Sequence, residues 1–183
     1  MWTIRGYVKQ LRALRRPTSN VGTIDGTGKP GPCAGMQFGW CSRPGSFASY
    51  GALEAWFEHL RAITIDLSTG LPKIYGPPRD DRLLPHFDRS GPLVFTHGDI
   101  GTKNVRIGKD GKVWLIDWGM SGMYPPWWEY IGMLKYKESG RTTPPVPWLW
   151  ARGIPFMAGW YPAAKKHLKS IRIGLKNPYF LIE

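Results

Sequence analysis

Carboxylates are scarce in this chain, cysteines scarcer, and long apolar runs do not occur. Thirteen Asp and Glu stand against 25 Lys and Arg, a formal charge of +12. Two cysteines, Cys33 and Cys41, are too few for a disulfide framework and have no partners at metal-ligand spacing, so free thiols are expected. No apolar stretch nears the roughly 20 residues of a membrane-crossing helix, and Met1-Trp2-Thr3-Ile4-Arg5 opens a charged amphipathic segment, not a signal-peptide core. The expectation is a cytoplasmic protein with no membrane span. No internal repeat is visible. Nor is there a convincing phosphate loop: Gly26-x-Gly28 has no strand before it and no helix after it, and reads as a flexible turn.

What remains suffices for one domain with a core, since 183 residues carry 42 % hydrophobic residues and ten Trp. Residues 2–15 read as an amphipathic helix. Ile4, Tyr7, Val8, Leu11 and Leu14 recur at three- and four-residue spacing, Arg5, Lys9, Arg12 and Arg15 take the other face, and Pro17 stops it. Residues 17–48 are rich in Gly, Pro and Ser and read as a loop excursion that Phe38 and Trp40 pin to the core. A second helix places Leu53, Trp56, Phe57 and Leu60 on one face, between a Ser49 cap and the β-branched run Ile63-Thr64-Ile65. A short helical segment is expected at Asp81 to His86, before a strand at Leu93 to Thr96.

The densest chemistry lies just beyond that strand. Thr96-His97-Gly98-Asp99-Ile100-Gly101-Thr102-Lys103-Asn104 puts an Asp five positions before an Asn, and Ile116-Asp117-Trp118-Gly119 adds a second Asp. Kinase-like enzymes use such a pattern to position a hydroxyl nucleophile and hold Mg²⁺. Val105 to Gly108 and Val113 to Ile116 are β-prone runs joined through Asp110-Gly111, a strong hairpin signal. With Asp110 and Gly111 as a two-residue loop, Ile107 faces Trp114 and Asn104 faces Asp117, whose Cα atoms would then lie about 4.5 Å apart.

His-Gly-Asp-x-x-x-x-Asn followed by Ile-Asp-Trp resembles the aminoglycoside phosphotransferase and choline kinase-like family, especially its fungal small-molecule kinase-like branch. Tyr124-Pro125-Pro126-Trp127-Trp128-Glu129-Tyr130 resembles that family's Tyr-Pro-x-x-Trp-Glu-Tyr element at a helix start. The resemblance covers roughly residues 1–137, tightly over 93–134. It implies ATP-dependent phosphoryl transfer to a small-molecule hydroxyl, with Asp99 as base and Asn104 and Asp117 as Mg²⁺ ligands. His97 fits a brace for the loop better than a titrating group, because a neutral imidazole offers one donor and one acceptor. Lys103 either approaches a phosphate or sits in solvent. Glu129 either accepts N–H groups of the catalytic loop or is a first-turn carboxylate favoured by the helix dipole.

The resemblance also implies an N-terminal nucleotide lobe with a phosphate-covering loop and a phosphate-pairing Lys, and none is discernible upstream. The chain reads as beginning inside the domain. After residue 137 the resemblance fades. Residues 138–183 read as a divergent basic tail, expected to be poorly ordered; from Lys135 onward nine Lys or Arg face two Glu. Nucleic acid or an anionic surface is the less favoured partner for it, since no nucleic-acid fold signature accompanies the charge.

The expected fold class is α+β: a mostly helical protein kinase-like C-terminal lobe around a small catalytic β-hairpin. Transfer is expected to be weak or lost in this chain alone. The alternatives are a non-catalytic binding module and a truncated product of a full-length kinase-like gene.

Overall fold

A computed structural model of the chain describes residues 1–14, 20–24, 31–33, 35–38, 44, 46–89, 91–138 and 145–179, with backbone alone at 36 and 136–138. Helix α1 spans Trp2–Ala13 and buries Ile4 and Val8. It ends at Leu14, whose backbone turns extended three residues ahead of Pro17. Its basic face is only partly solvated. Arg5 Nη1 donates to Phe156 O at 2.6 Å, and Arg12 Nη2 donates to Pro126 O at 2.7 Å and Ala158 O at 2.6 Å. Tyr7 Oη donates to Val113 O at 2.6 Å, tying the helix to the hairpin as well.

The 17–48 excursion holds more structure than its composition suggests. Strand β1 is Gly22–Thr23, and a 3₁₀ turn spans Met36–Phe38. Phe38 is fully buried, stacking on Phe57 and tilting against Trp128, so it pins this segment as expected. Trp40, Cys41 and the Gly26-x-Gly28 stretch lie outside the described residues. Cys33 is a free, buried thiol, pushed up by burial to about 12.

Helix α2 spans Tyr50–Gly70, and Ser49 Oγ accepts the Ala52 N–H at 3.0 Å. The β-branched run does not end it. Ile63 and Thr64 are fully buried, and Thr64 Oγ1 donates to Leu60 O and accepts the Gly174 N–H, both at 2.9 Å. Tertiary packing outweighs the small propensity cost of branched residues. A one-turn helix α3, Pro72–Tyr75, follows, and the segment expected over residues 81–86 is a 3₁₀ turn at Asp81–Leu83.

Strand β2, Val94–Thr96, pairs antiparallel with β5, Gly122–Tyr124, which also pairs with β1 to give the order β1-β5-β2. Between them lies a separate hairpin, β3 Val105–Ile107 and β4 Val113–Leu115. Its register corrects the expected one. Val105 faces Leu115 and Arg106 faces Trp114, a shift of one residue. The Gly108 N–H donates to Lys112 O at 2.8 Å, enclosing a loop of Lys109, Asp110 and Gly111, with Gly111 at φ 76°. Glycine adopts that left-handed conformation without strain, so Asp-Gly closes a three-residue loop as readily as a two-residue one. Asn104 therefore stands opposite Ile116 rather than Asp117, and the Ile116 N–H donates to Asn104 O at 3.0 Å.

Helix α4, Trp128–Glu138, buries Tyr130, Ile131 and Leu134 beside Trp127. Where described, the basic tail forms three helices. Helices α5 (Trp148–Ala158), α6 (Pro162–Ser170) and α7 (Arg172–Lys176) bury Ile154, Met157, Leu168, Ile171 and Leu175 in the same core. Their apolar residues recur at helical spacing, which offsets the solubilising charge on the outer faces. No helix among the described residues is long and apolar enough to cross a membrane.

His167 of α6 is buried between Phe57 and Phe87; its Nδ1 donates to Pro85 O at 2.7 Å, while Nε2 is buried with no hydrogen-bond partner. Burial holds its pKa below the ordinary value, because a charged ring here would be desolvated. In the window between the lowered folded value and the ordinary value near 6.5, the unfolded chain binds the extra proton. Stability should therefore fall as pH drops below about 6.5, and His167→Phe should flatten that dependence in denaturant titrations run across pH. An unchanged slope would place the acid sensitivity elsewhere.

Candidate functional site

The loop leaving β2 turns sharply at Gly98, whose φ is 82°. A Cβ built there would lie 2.5 Å from Met120 O, so only glycine lets the loop meet the turn that follows Asp117. The loop's backbone is gathered from below by Glu129, in the first turn of α4. Glu129 Oε2 accepts the N–H groups of His97 at 2.9 Å and Gly98 at 3.1 Å, and Oε1 accepts that of Ile100 at 3.3 Å. Glu129 is thus a carboxylate in the first turn of the helix that also accepts three N–H groups of the loop. Complete burial pushes its carboxyl above the ordinary range, while those donors and the His97 ring pull the other way.

Asp99 lies at the loop's mouth, its side chain 11 % exposed. Asn104 ends a 3₁₀ turn, Thr102–Asn104, and is itself buried. Its Nδ2 donates to Asp99 O and to Asp99 Oδ2, both at 2.9 Å. The amide's two hydrogens are spent on one residue, which leaves Oδ1 as the atom with which Asn104 can bind anything else. Lys103 Nζ also sits 2.8 Å from Asp99 Oδ2, so the half-exposed ammonium is anchored at the carboxylate as well as reaching solvent.

His97 is wholly buried. The Asp99 N–H donates to its Nδ1 at 3.3 Å, so the ring proton belongs on Nε2, which donates to Ile116 O at 3.1 Å. The ring leans on Trp118, with centroids 4.5 Å apart, and Trp118 Nε1 donates to Leu115 O at 3.0 Å. This is the geometry of a brace joining two loops, with both nitrogens occupied. Trp118 and Gly98 take part without having been assigned a role from spacing, although both stand within the two motifs, beside Asp117 and Asp99.

Ile116 is the hub on the far side, bonded through its N–H to Asn104 and through its carbonyl to His97. Asp117 follows immediately, exposed, at φ 65°. A non-glycine residue in the left-handed region is uncommon, tolerated best by Asp and Asn, and concentrated at functional positions. The structure thus joins His97, Asp99, Lys103, Asn104 and Glu129 directly, and brings Asp117 alongside through Ile116 rather than through cross-strand pairing. Among the described residues no group of three or more His, Cys, Asp or Glu forms a self-sufficient metal cage.

The family model for the phosphotransferase enzyme family matches residues 46–163. The chain belongs to that family. The match takes in α2 through the start of α6 and includes all six of these residues. It begins after α1 and runs well past residue 137, the limit of the motif resemblance, to take in the packed α5. No curated protein and no solved structure matches the chain. Phosphoryl transfer in general draws on fixed positioning and on groups that meet phosphate charge.

Proposed function

We propose that this chain is the C-terminal-lobe-like part of a protein kinase-like phosphotransferase, of the aminoglycoside phosphotransferase and choline kinase-like type, acting on the hydroxyl of a small molecule. The observation that carries this reading is the Asn104 amide, whose two hydrogens are committed to Asp99. The same amide that holds the carboxylate keeps its oxygen for another partner, and a hard cation suits that oxygen.

In this reading Asp99 accepts the acceptor hydroxyl's hydrogen bond and then its proton. The hydroxyl oxygen bonds to the γ-phosphorus of ATP as the bond from that phosphorus to the bridging oxygen breaks, and ADP leaves. Mg²⁺, held by Asn104 Oδ1 and the Asp117 carboxylate, would supply charge neutralisation for the phosphates. An amide oxygen and one carboxylate are hard donors that suit this ion and leave room for phosphate oxygens and water. Lys103, anchored at Asp99, is placed to meet a transferred phosphoryl group at the same carboxylate. His97 and Glu129 hold the loop and touch no reacting atom.

Phosphoryl transfer also draws on a phosphate-covering loop and a phosphate-pairing Lys. Neither is discernible in these residues, so transfer by this chain alone should be weak. Binding is the sharper test. Calorimetric titration of Mg²⁺-ATP into the chain and into Asp117→Ala should show affinity reduced at least about tenfold in the variant, as loss of a metal ligand generally does. Equal affinities would remove Asp117 from the metal site.

A further inference from the structure

The charge of the C-terminal helices is organised, and it stands apart from the site just described. Lys165, Lys166 and Lys169 recur along one side of α6. Two clefts flank that side, one of about 460 Å³ and one of about 840 Å³, and Lys166 and Lys169 line both. The helix is therefore a basic ridge between two hollows. Arg152 of α5 adds a cation to the first, and Arg79, Arg172 and Lys176 add three to the second. Among the described lining residues the one carboxylate is Asp80, which is already paired with Arg82.

Each bank also carries large apolar side chains turned to solvent. Trp160, at the first cleft, is 66 % exposed, and Trp148, one helical turn before Arg152 on α5, is 71 % exposed. Across the ridge, Ile74 and Leu83 line the second cleft and are 70 % and 74 % exposed. Apolar residues flanking long cationic side chains form the pattern of a surface that lies in a membrane interface. Tryptophan settles at headgroup level, lysine stems run along apolar material while their ammonium groups reach phosphates, and aliphatic tips enter the acyl boundary.

We propose that the α6–α7 ridge and its two banks form a docking surface for an anionic phospholipid bilayer. Charge complementarity selects the lipid, since each Lys or Arg near such a surface adds attraction to acidic headgroups. A nucleic acid would also draw the cations and could stack on tryptophan, but Ile74 and Leu83 have no π face to offer a base. Water-exposed aliphatic groups gain by entering a bilayer and gain nothing from a phosphate backbone. Helices α5 to α7 pack on the core, so these cations and apolar side chains are presented on a defined surface.

The test is vesicle flotation of the full chain with phosphatidylcholine alone and with phosphatidylcholine mixed with phosphatidylserine. Binding should be at least about tenfold stronger to the anionic vesicles and weaken with salt. The double variant Lys166→Gln/Lys169→Gln should bind roughly tenfold or more weakly, whereas Lys9→Gln, an exposed cation on α1, should bind as wild type. Trp160→Ala should lose much of the binding that survives high salt, and its tryptophan emission change on vesicle addition should diminish. Circular dichroism and unfolding midpoints of all variants should match wild type. Equal binding to both vesicle types, binding to neither, an unaffected double variant, or capture of a single-stranded oligonucleotide with vesicles ignored would each overturn the proposal.

Discussion

Asp99→Asn should lower phosphoryl transfer by roughly 10²–10⁴-fold, the range lost when a positioned acid–base group is removed. The substitution is nearly isosteric. An asparagine oxygen can still accept from Asn104 Nδ2, so the loop should hold its shape, but the new amide cannot take a proton from a hydroxyl and no longer attracts Lys103. Mg²⁺-ATP affinity should change by no more than a few-fold, since Asp99 is not assigned to the metal. The measurement is transfer of labelled γ-phosphate to an acceptor hydroxyl or to water at saturating Mg²⁺-ATP, beside the same calorimetric titration used for Asp117→Ala. A rate unaffected by the substitution would remove Asp99 from the role of base, whatever the rate of the unaltered chain.

Glu129→Ala should be the most damaging single change to stability. Three loop N–H groups, of His97, Gly98 and Ile100, lose their acceptor inside the protein. Each buried donor left unpaired costs about 1–3 kcal/mol, and together they should cost roughly 3–5 kcal/mol once the loop relaxes. A domain of this size holds only about 5–15 kcal/mol of net stability, so Tm should fall by roughly 10 °C. Glu129→Gln separates the contributions. Its single amide oxygen can serve two of the three donors while its NH₂ group confronts the third, so it should recover part of the loss. Denaturant unfolding monitored by tryptophan fluorescence reads both, and a Glu129→Ala chain as stable as wild type would show that the loop holds itself.

The candidate site was legible in its residues and not in its assembly. Asp99 and Asn104 are brought together as their spacing suggests because both lie within one short turn, where five positions in sequence translate directly into a hydrogen-bonded contact. The Ser49 cap was legible for the same local reason. The hairpin register was not, because it hinges on the backbone at Asp110, which stays out of the left-handed region that a two-residue loop would require of it, while Gly111 is left-handed in either loop. Ile116 could not be foreseen as the link between His97 and Asn104, since its part is played by backbone atoms that every residue has. The C-terminal helices were obscured by proline and positive charge, yet Ala164, Leu168, Ile171 and Leu175 recur every three or four residues, and all are buried. That period was available and outweighed the composition.

The contact between Gly98 and Met120 has a mechanical meaning. Two loops whose backbones touch, one carrying Asp99 and the other following Asp117, cannot slide past each other without first separating, and the His97–Ile116 bond closes the same gap from the other side. Asp99 and Asp117, the base and metal ligand proposed above, are therefore carried on two loops tied to each other. In the proposed mechanism the spacing of the two acidic groups is then set by these loop-to-loop contacts, and a part that closes over the nucleotide would aim the phosphate toward groups whose separation it does not itself determine.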